Sequence, residues 1–177
     1  MKTVVLLFHS NFAGSRINKA LEQAIAGDYT VRHMYDLYPD FKIDVAKEQA
    51  ALTEADRIVL QFPIQWYSSP ALLKEWQDQV LAYGWAYGSN GQALKGKELL
   101  VAASAGAQGY THEDNMYTLT EVLRPFQSMA GFVGMTYLKP FTVKGTLTMS
   151  DEDLAKHAKE YAEYLKQESI PALGMFE

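Results

Sequence analysis

Three short segments concentrate the residue types that can grip a charged, planar ligand. The first, His9-Ser10-Asn11-Phe12-Ala13-Gly14-Ser15-Arg16-Ile17-Asn18, follows an apolar run and leads into a helical pattern. Small and hydroxylated residues at a helix start leave main-chain N–H groups without intrahelical partners where the macrodipole is positive, which suits a phosphate. Ser15 and Asn18 would add side-chain donors there, and Arg16 positive charge. The second segment, Pro63-Ile64-Gln65-Trp66-Tyr67-Ser68-Ser69-Pro70, sets two aromatics and an amide just before another helix start. Such groups hold a flat heteroaromatic ring by stacking and hydrogen bonding. The third, Ser104-Ala105-Gly106-Ala107-Gln108-Gly109-Tyr110-Thr111-His112, is built largely from small residues. Its main chain can approach a ligand edge, and successive N–H groups can balance negative charge there.

Taken singly, each segment has a plain structural reading: a helix cap, a covered sheet end, a Gly-rich turn. Stronger nucleotide signatures are missing. GxGxxG does not occur, and the P-loop near-match from Gly91 to Lys97 is followed by Glu98 and runs into a strand. His112-Glu113-Asp114 lacks a second His at helical spacing, so no metal site is expected. Ser10 stands in no GxSxG elbow, which disfavours a hydrolase. With 0 Cys the chain has no thiol chemistry of its own, so any redox chemistry must come from a cofactor.

The elements that must carry these segments follow from periodicity. Near-continuous apolar runs at Thr3–Phe8, Tyr29–Met34, Arg57–Phe62 and Glu98–Ser104, with a weaker one at Thr136–Val143 interrupted by Pro140, read as parallel strands covered on both faces. Helical patterns alternate with them: Ser15–Ala26, Asp44–Ala55, a helix starting at Ser69-Pro70 with Pro in its first position, Met116–Ala130 divided by Pro125, and Ser150–Gln167. Right-handed βαβ units of this kind predict an α/β fold: a five-stranded parallel sheet in the order 2-1-3-4-5 with helices on both faces. In such a sheet the ligand sits beyond the carboxyl ends of the strands, beside the switch point between strands 1 and 3. The three segments all fall at that edge.

Composition narrows the partners. With 16 Lys and Arg against 21 Asp and Glu, the net charge of −5 offers no broad basic surface for nucleic acid. A hydrophobic content of 48% supports a full core, and the 177 residues are read as one domain, 1–177. The apolar run VVLLF is too short for a signal-peptide core, and no stretch reaches the roughly 18 residues of a membrane span, so a cytoplasmic protein without membrane insertion is expected. The aromatic stretch from Tyr83 to Gly91 suits a subunit interface or a pocket wall lent by a partner subunit, or else a cluster packed locally on itself. His33 reads as a structural residue and His157 as solvated.

The segments YPDFKID, FPIQWYSSPALLKEW, GWAYG and VLRPFQ resemble the flavodoxin-like NAD(P)H:quinone oxidoreductases, and especially the bacterial ancillary flavoproteins of glutathione-gated potassium efflux systems. The likeness runs over nearly the whole chain. It implies a homodimer with FMN rather than FAD, which goes with a longer carboxyl-terminal region in the larger animal relatives. It also implies NADPH or NADH as hydride donor, a quinone-like acceptor, ping-pong use of one pocket, and association with a potassium efflux transporter at the inner face of the membrane. A one-electron carrier of the flavodoxin kind is the alternative within redox chemistry. By position, His9, Ser15, Arg16, Ile17 and Asn18 would hold the phosphate tail; Pro63, Ile64, Gln65, Trp66 and Tyr67 would flank the ring; and Ser104, Ala105, Gly106 and Ala107 would line its pyrimidine edge, where SAGA stands in place of the family's TTGG. Tyr110 and His112 are the implied catalytic pair, although their spacing departs from the family pattern.

Overall fold

The computed structural model describes residues 1–114 and 116–175; Asn115, Phe176 and Glu177 of the expected domain lie outside the described residues. Strands β1 (Thr3–Leu7), β2 (Thr30–His33), β3 (Arg57–Pro63), β4 (Glu98–Ser104), β5 (Thr136–Tyr137) and β6 (Phe141–Val143) alternate with helices α1 (Arg16–Ile25), α2 (Met34–Leu37), α3 (Val45–Glu54), α4 (Ala71–Val80), α5 (Leu119–Val122), α6 (Arg124–Phe132) and α7 (Asp151–Lys166). All named strand pairings are parallel, in the order β2-β1-β3-β4-β5, with β6 also on β4.

Two expectations about elements are corrected. The fifth strand is two short ones, because Pro140 has no N–H to give the ladder, and each piece pairs separately with β4. The helix after Ser69 begins one residue later, with Pro70 at the cap position and no side-chain cap of its own. Instead the Leu72 N–H donates to the Tyr35 hydroxyl at 3.3 Å. The pattern from Met116 to Ala130 yields two helices that break at Leu123, just before Pro125 in the first turn of α6.

The central strands β1, β3 and β4 are buried on both faces, which is why they are mostly apolar at successive positions rather than at alternate ones. Val4, Leu6, Ile58, Leu60, Phe62, Leu99 and Val101 pack with residues of α3, α4 and α6. Val5, Val59, Leu100 and Ala102 pack with the stripes of α1 (Ile17, Leu21, Ile25) and α7 (Leu154, Tyr161, Leu165). On this second face β3 departs from the apolar pattern at Arg57 and Gln61, both without exposed surface. Arg57 donates through Nε to Glu98 at 2.7 Å and through Nη1 to the Leu165 and Gln167 carbonyls at 3.3 and 3.0 Å. A buried cation thus closes the carboxyl end of α7, where the macrodipole is negative.

On the first face the Glu48 carboxylate is fully buried. Arg32 pairs with it, and it accepts from the Tyr38 hydroxyl at 2.5 Å and from Trp76 Nε1 at 3.2 Å. Burial first, and then the bond to Glu48, push the Tyr38 hydroxyl up to about 12.

After α7 the chain turns back along β5. Leu138 and Ala172 form an antiparallel bridge, the Lys139 N–H donates to the Pro171 carbonyl and the Leu173 N–H to the Tyr137 carbonyl, both at 2.9 Å. Gln127 Nε2 holds the Leu173 and Gly174 carbonyls at 3.1 and 3.0 Å.

Candidate functional site

The carboxyl ends of β1, β3 and β4 deliver the three segments to one edge. The first opens into a single 3₁₀ turn, Phe12–Gly14, capped by the Asn11 side chain, and then into α1, capped by Ser15. The Asn11 N–H donates to His9 Nδ1 at 3.2 Å, which puts the imidazole proton on Nε2, and burial lowers the His9 pKa. The side chains expected to reach a phosphate are engaged within the protein. Ser15 Oγ accepts from the Asn18 N–H at 3.1 Å, and Asn18 Nδ2 donates to Ser104 Oγ at 3.1 Å. Arg16 donates to the Met149 carbonyl at 2.9 Å and pairs with Asp151 at 2.5 Å. Ile17 buries its side chain against the sheet. Among the described residues, the main-chain N–H groups of Phe12, Ala13, Arg16 and Ile17 have no hydrogen-bond acceptor. They form a cradle of main-chain donors at the start of a ten-residue helix.

In the second segment Pro63 ends β3 and the Ile64 N–H donates to the Ser104 carbonyl at 2.7 Å. Gln65 and Ser68 exchange main-chain bonds at 2.9 and 3.0 Å around Trp66 and Tyr67, whose φ angles are 47° and 60°. A two-residue turn with both central residues left-handed normally takes Asn and Gly; here it carries two exposed aromatics, Trp66 at 94%. Bulky residues held in this region cost free energy and recur at functional sites.

The third segment leaves β4 with Ser104 and Ala105 buried. The Ala105 N–H is spent on Val143 at 2.8 Å, whereas the N–H groups of Gly106 and Ala107 find no acceptor among the described residues. Tyr110 is buried and meets the edge of Tyr67 with ring centres 6.3 Å apart, and burial raises its pKa. His112 stands apart from it: the ring is largely exposed and its Nε2 lies 2.7 Å from Glu121, the acid of the α5 capping box. His33 lies against Phe12, 4.7 Å between centres, and 3.6 Å from Glu22. His157 pairs with Glu160 at 3.0 Å rather than standing free in solvent.

Sequence reasoning missed the strap after β6. The Gly145 and Thr146 N–H groups donate to the Ala107 and Ala105 carbonyls at 3.0 and 3.2 Å, locking the third segment from above. Gly145 holds φ 69°, and a Cβ there would meet the Gln108 side chain at 2.1 Å. Lys144-Gly145-Thr146 is a turn signal, but nothing in the sequence says which loop it meets. The Tyr83–Gly91 aromatics lie at the opposite, amino edge of the sheet: Tyr83 meets Tyr87, and Tyr87 meets Phe132, at 5.7 and 5.3 Å. No helix among the described residues is long and apolar enough to cross a membrane, and no cluster of three metal-ligating side chains occurs among them.

Comparison with known proteins agrees with this geometry. The pattern of a family described as flavodoxin-like fold matches residues 1–165. A Bacillus subtilis protein named uncharacterized NAD(P)H oxidoreductase YrkL is 47% identical over 173 residues, 95% of this chain and 99% of that protein. The glutathione-regulated potassium-efflux system ancillary protein KefF of Klebsiella pneumoniae is 44% identical over 166 residues, 92% of this chain and 93% of its own. Among solved structures, general stress protein 14 of Treponema denticola in complex with FMN superposes with TM-score 0.87 at 38% identity, covering 93% of this chain and 98% of that one. An NADPH-quinone reductase from P. pentosaceus does so with TM-score 0.78 at 30% identity, covering 93% and 97%. The chain is a member of the flavodoxin-like family to which these oxidoreductases belong.

Proposed function

We propose that this chain is an FMN-dependent NAD(P)H oxidoreductase that passes two electrons to a quinone-like acceptor. One observation carries the reading: main-chain donors without acceptors stand at two of the three converging segments, with a strained aromatic turn between them. The donor set fits the cofactor's two polar ends. N–H groups of Phe12, Ala13, Arg16 and Ile17, with His9 Nε2, hold the phosphate; those of Gly106 and Ala107 orient the pyrimidine edge and balance charge on it. Arg16 contributes through its main chain. Pro63, Ile64 and Gln65 set the turn, and Trp66 and Tyr67 cover the ring. Bound FMN supplies the hydride-accepting chemistry that no side chain here can perform. Tyr110, held protonated by burial, donates a hydrogen bond beside Tyr67, and His112 assists from the rim. Donor and acceptor use one pocket in turn, which gives ping-pong kinetics. The 47% identity to a named NAD(P)H oxidoreductase supports this reading.

The test is optical. Purified protein supplied with FMN should show the absorbance of bound oxidised flavin, and that band should bleach rapidly in stopped flow on mixing with NADPH or NADH. Protein that stays colourless after incubation with excess FMN would overturn the proposal, and flavin that neither nucleotide bleaches would favour the one-electron carrier. The likeness to KefF favours a second role alongside the first, as an ancillary subunit at a potassium efflux system. Co-purification with such a transporter, and gating by a flavin-free variant, separate that role from turnover.

A further inference from the structure

Beneath the three segments a polar thread crosses the largely apolar layer between the sheet and α1 and α7. Its centre is Gln61 on β3, which has no exposed surface. Gln61 Nε2 donates to the Asn18 carbonyl at 3.2 Å and lies 3.4 Å from Asn18 Oδ1, while Gln61 Oε1 accepts from the Tyr161 hydroxyl at 3.1 Å. Asn18 Nδ2 then continues to Ser104 Oγ at 3.1 Å. Val5, Val59, Leu21, Leu100 and Ala102 occupy the same layer.

Stability alone gives no reason for this thread. A buried neutral hydrogen bond contributes little net stability over apolar groups of the same shape, and every member is costly when left unpaired. Its two ends suggest another purpose. Asn18 is the third residue of α1, and the unpartnered N–H groups of Arg16 and Ile17 are the two just before it. Ser104 is the last residue of β4, and the unpartnered Gly106 and Ala107 follow it. The Asn18–Ser104 bond ties the donors on one side of the site to those on the other, and Gln61, itself held by Tyr161, fixes the Asn18 end of that tie from behind.

We propose that Gln61 and Tyr161 are positioning residues that fix the separation between the phosphate cradle and the loop at the ring's pyrimidine edge, cutting the site to the length of a phosphorylated flavin. The inference rests on the cofactor reading above. A ligand that must reach both sets of donors feels their separation; one that uses only the ring side does not. FMN and riboflavin differ by that requirement, since they share the ring and only FMN carries the phosphate.

The experiment titrates full-length wild type, Gln61→Leu and Tyr161→Phe with FMN and with riboflavin by flavin fluorescence, alongside thermal melts of the flavin-free proteins. From the size of single buried hydrogen bonds, the FMN Kd should rise about fivefold in Tyr161→Phe and about tenfold or more in Gln61→Leu, while the riboflavin Kd stays within about twofold. The visible spectrum of bound FMN should shift in both variants. If both Kd values rise by the same factor, or neither moves, the thread is scaffolding and the proposal fails. Tyr161→Phe removes a single oxygen, so it carries the test if Gln61→Leu does not fold. Wild type that binds neither flavin would instead sink the cofactor reading, a result separable from the other two.

Discussion

Trp66 shows how a single residue can serve the site against its own conformational preference. An L-residue in the left-handed region costs roughly 1–2 kcal/mol, and a side chain 94% exposed has little burial to offset that. Trp66→Gly should therefore stabilise the protein by about 1 kcal/mol, raising Tm by roughly 2–4 °C, while weakening flavin binding. A melt and a flavin titration on the same sample check both signs, and a lowered Tm would contradict the strain argument. Tyr110 and His112 differ in setting, one buried beside Tyr67 and the other held by Glu121. Tyr110→Phe should slow steady-state turnover by about a hundredfold, the lower end for loss of a placed proton donor, and His112→Ala less. Unchanged turnover in both would remove them from the mechanism. At this scale the sequence revealed which segments matter but not how their donors are spent. Arg16 looked free to meet a phosphate because its partner Asp151 is 135 positions away, and Asn18 because Ser104 is 86 away.

Elements were easiest to read where their signals are local. Ser15, Asp44 and Ser150 each cap the helix they precede, as their types foretell. The Thr118–Glu121 capping box of α5 is equally local. Its Glu121 carboxyl is lowered to about 2, first by the Thr118 N–H, then by the Thr118 hydroxyl and by His112. Because the folded value lies below the ordinary 4.5, this carboxylate contributes stability that is fully present above pH 4.5 and is lost as pH falls toward 2. Glu121→Gln should accordingly be less stable than the parent at pH 7, with the gap closing across that acid window. Urea melts at pH 7 and near pH 3 measure this, and a gap independent of pH would refute it. Gln61 and Arg57 lie inside a run that reads as apolar from Arg57 to Phe62, and their partners on α1, α7 and the turn after it emerge only with the fold.

For the molecule as a whole, the doubly wound order was legible because runs apolar at every position require cover on both faces, and alternation with helices then leaves few topologies. The amino edge carries an exposed aromatic cluster: Tyr83 at 70% and Phe132 at 72% exposure flank Tyr87 beside a cavity of about 280 Å³. We propose that two copies associate there, which predicts sedimentation as a dimer at micromolar concentration and dissociation in Phe132→Asp without loss of fold. A monomeric profile for the parent protein would end that proposal. The returning residues 171–173 along β5 have a different consequence. A bare outermost strand presents unsatisfied main-chain groups that another copy can zip onto. Trimming the chain behind Glu168 would thus turn a discreet hem into an adhesive border, and insolubility rather than lost chemistry would be the first symptom of a shortened protein.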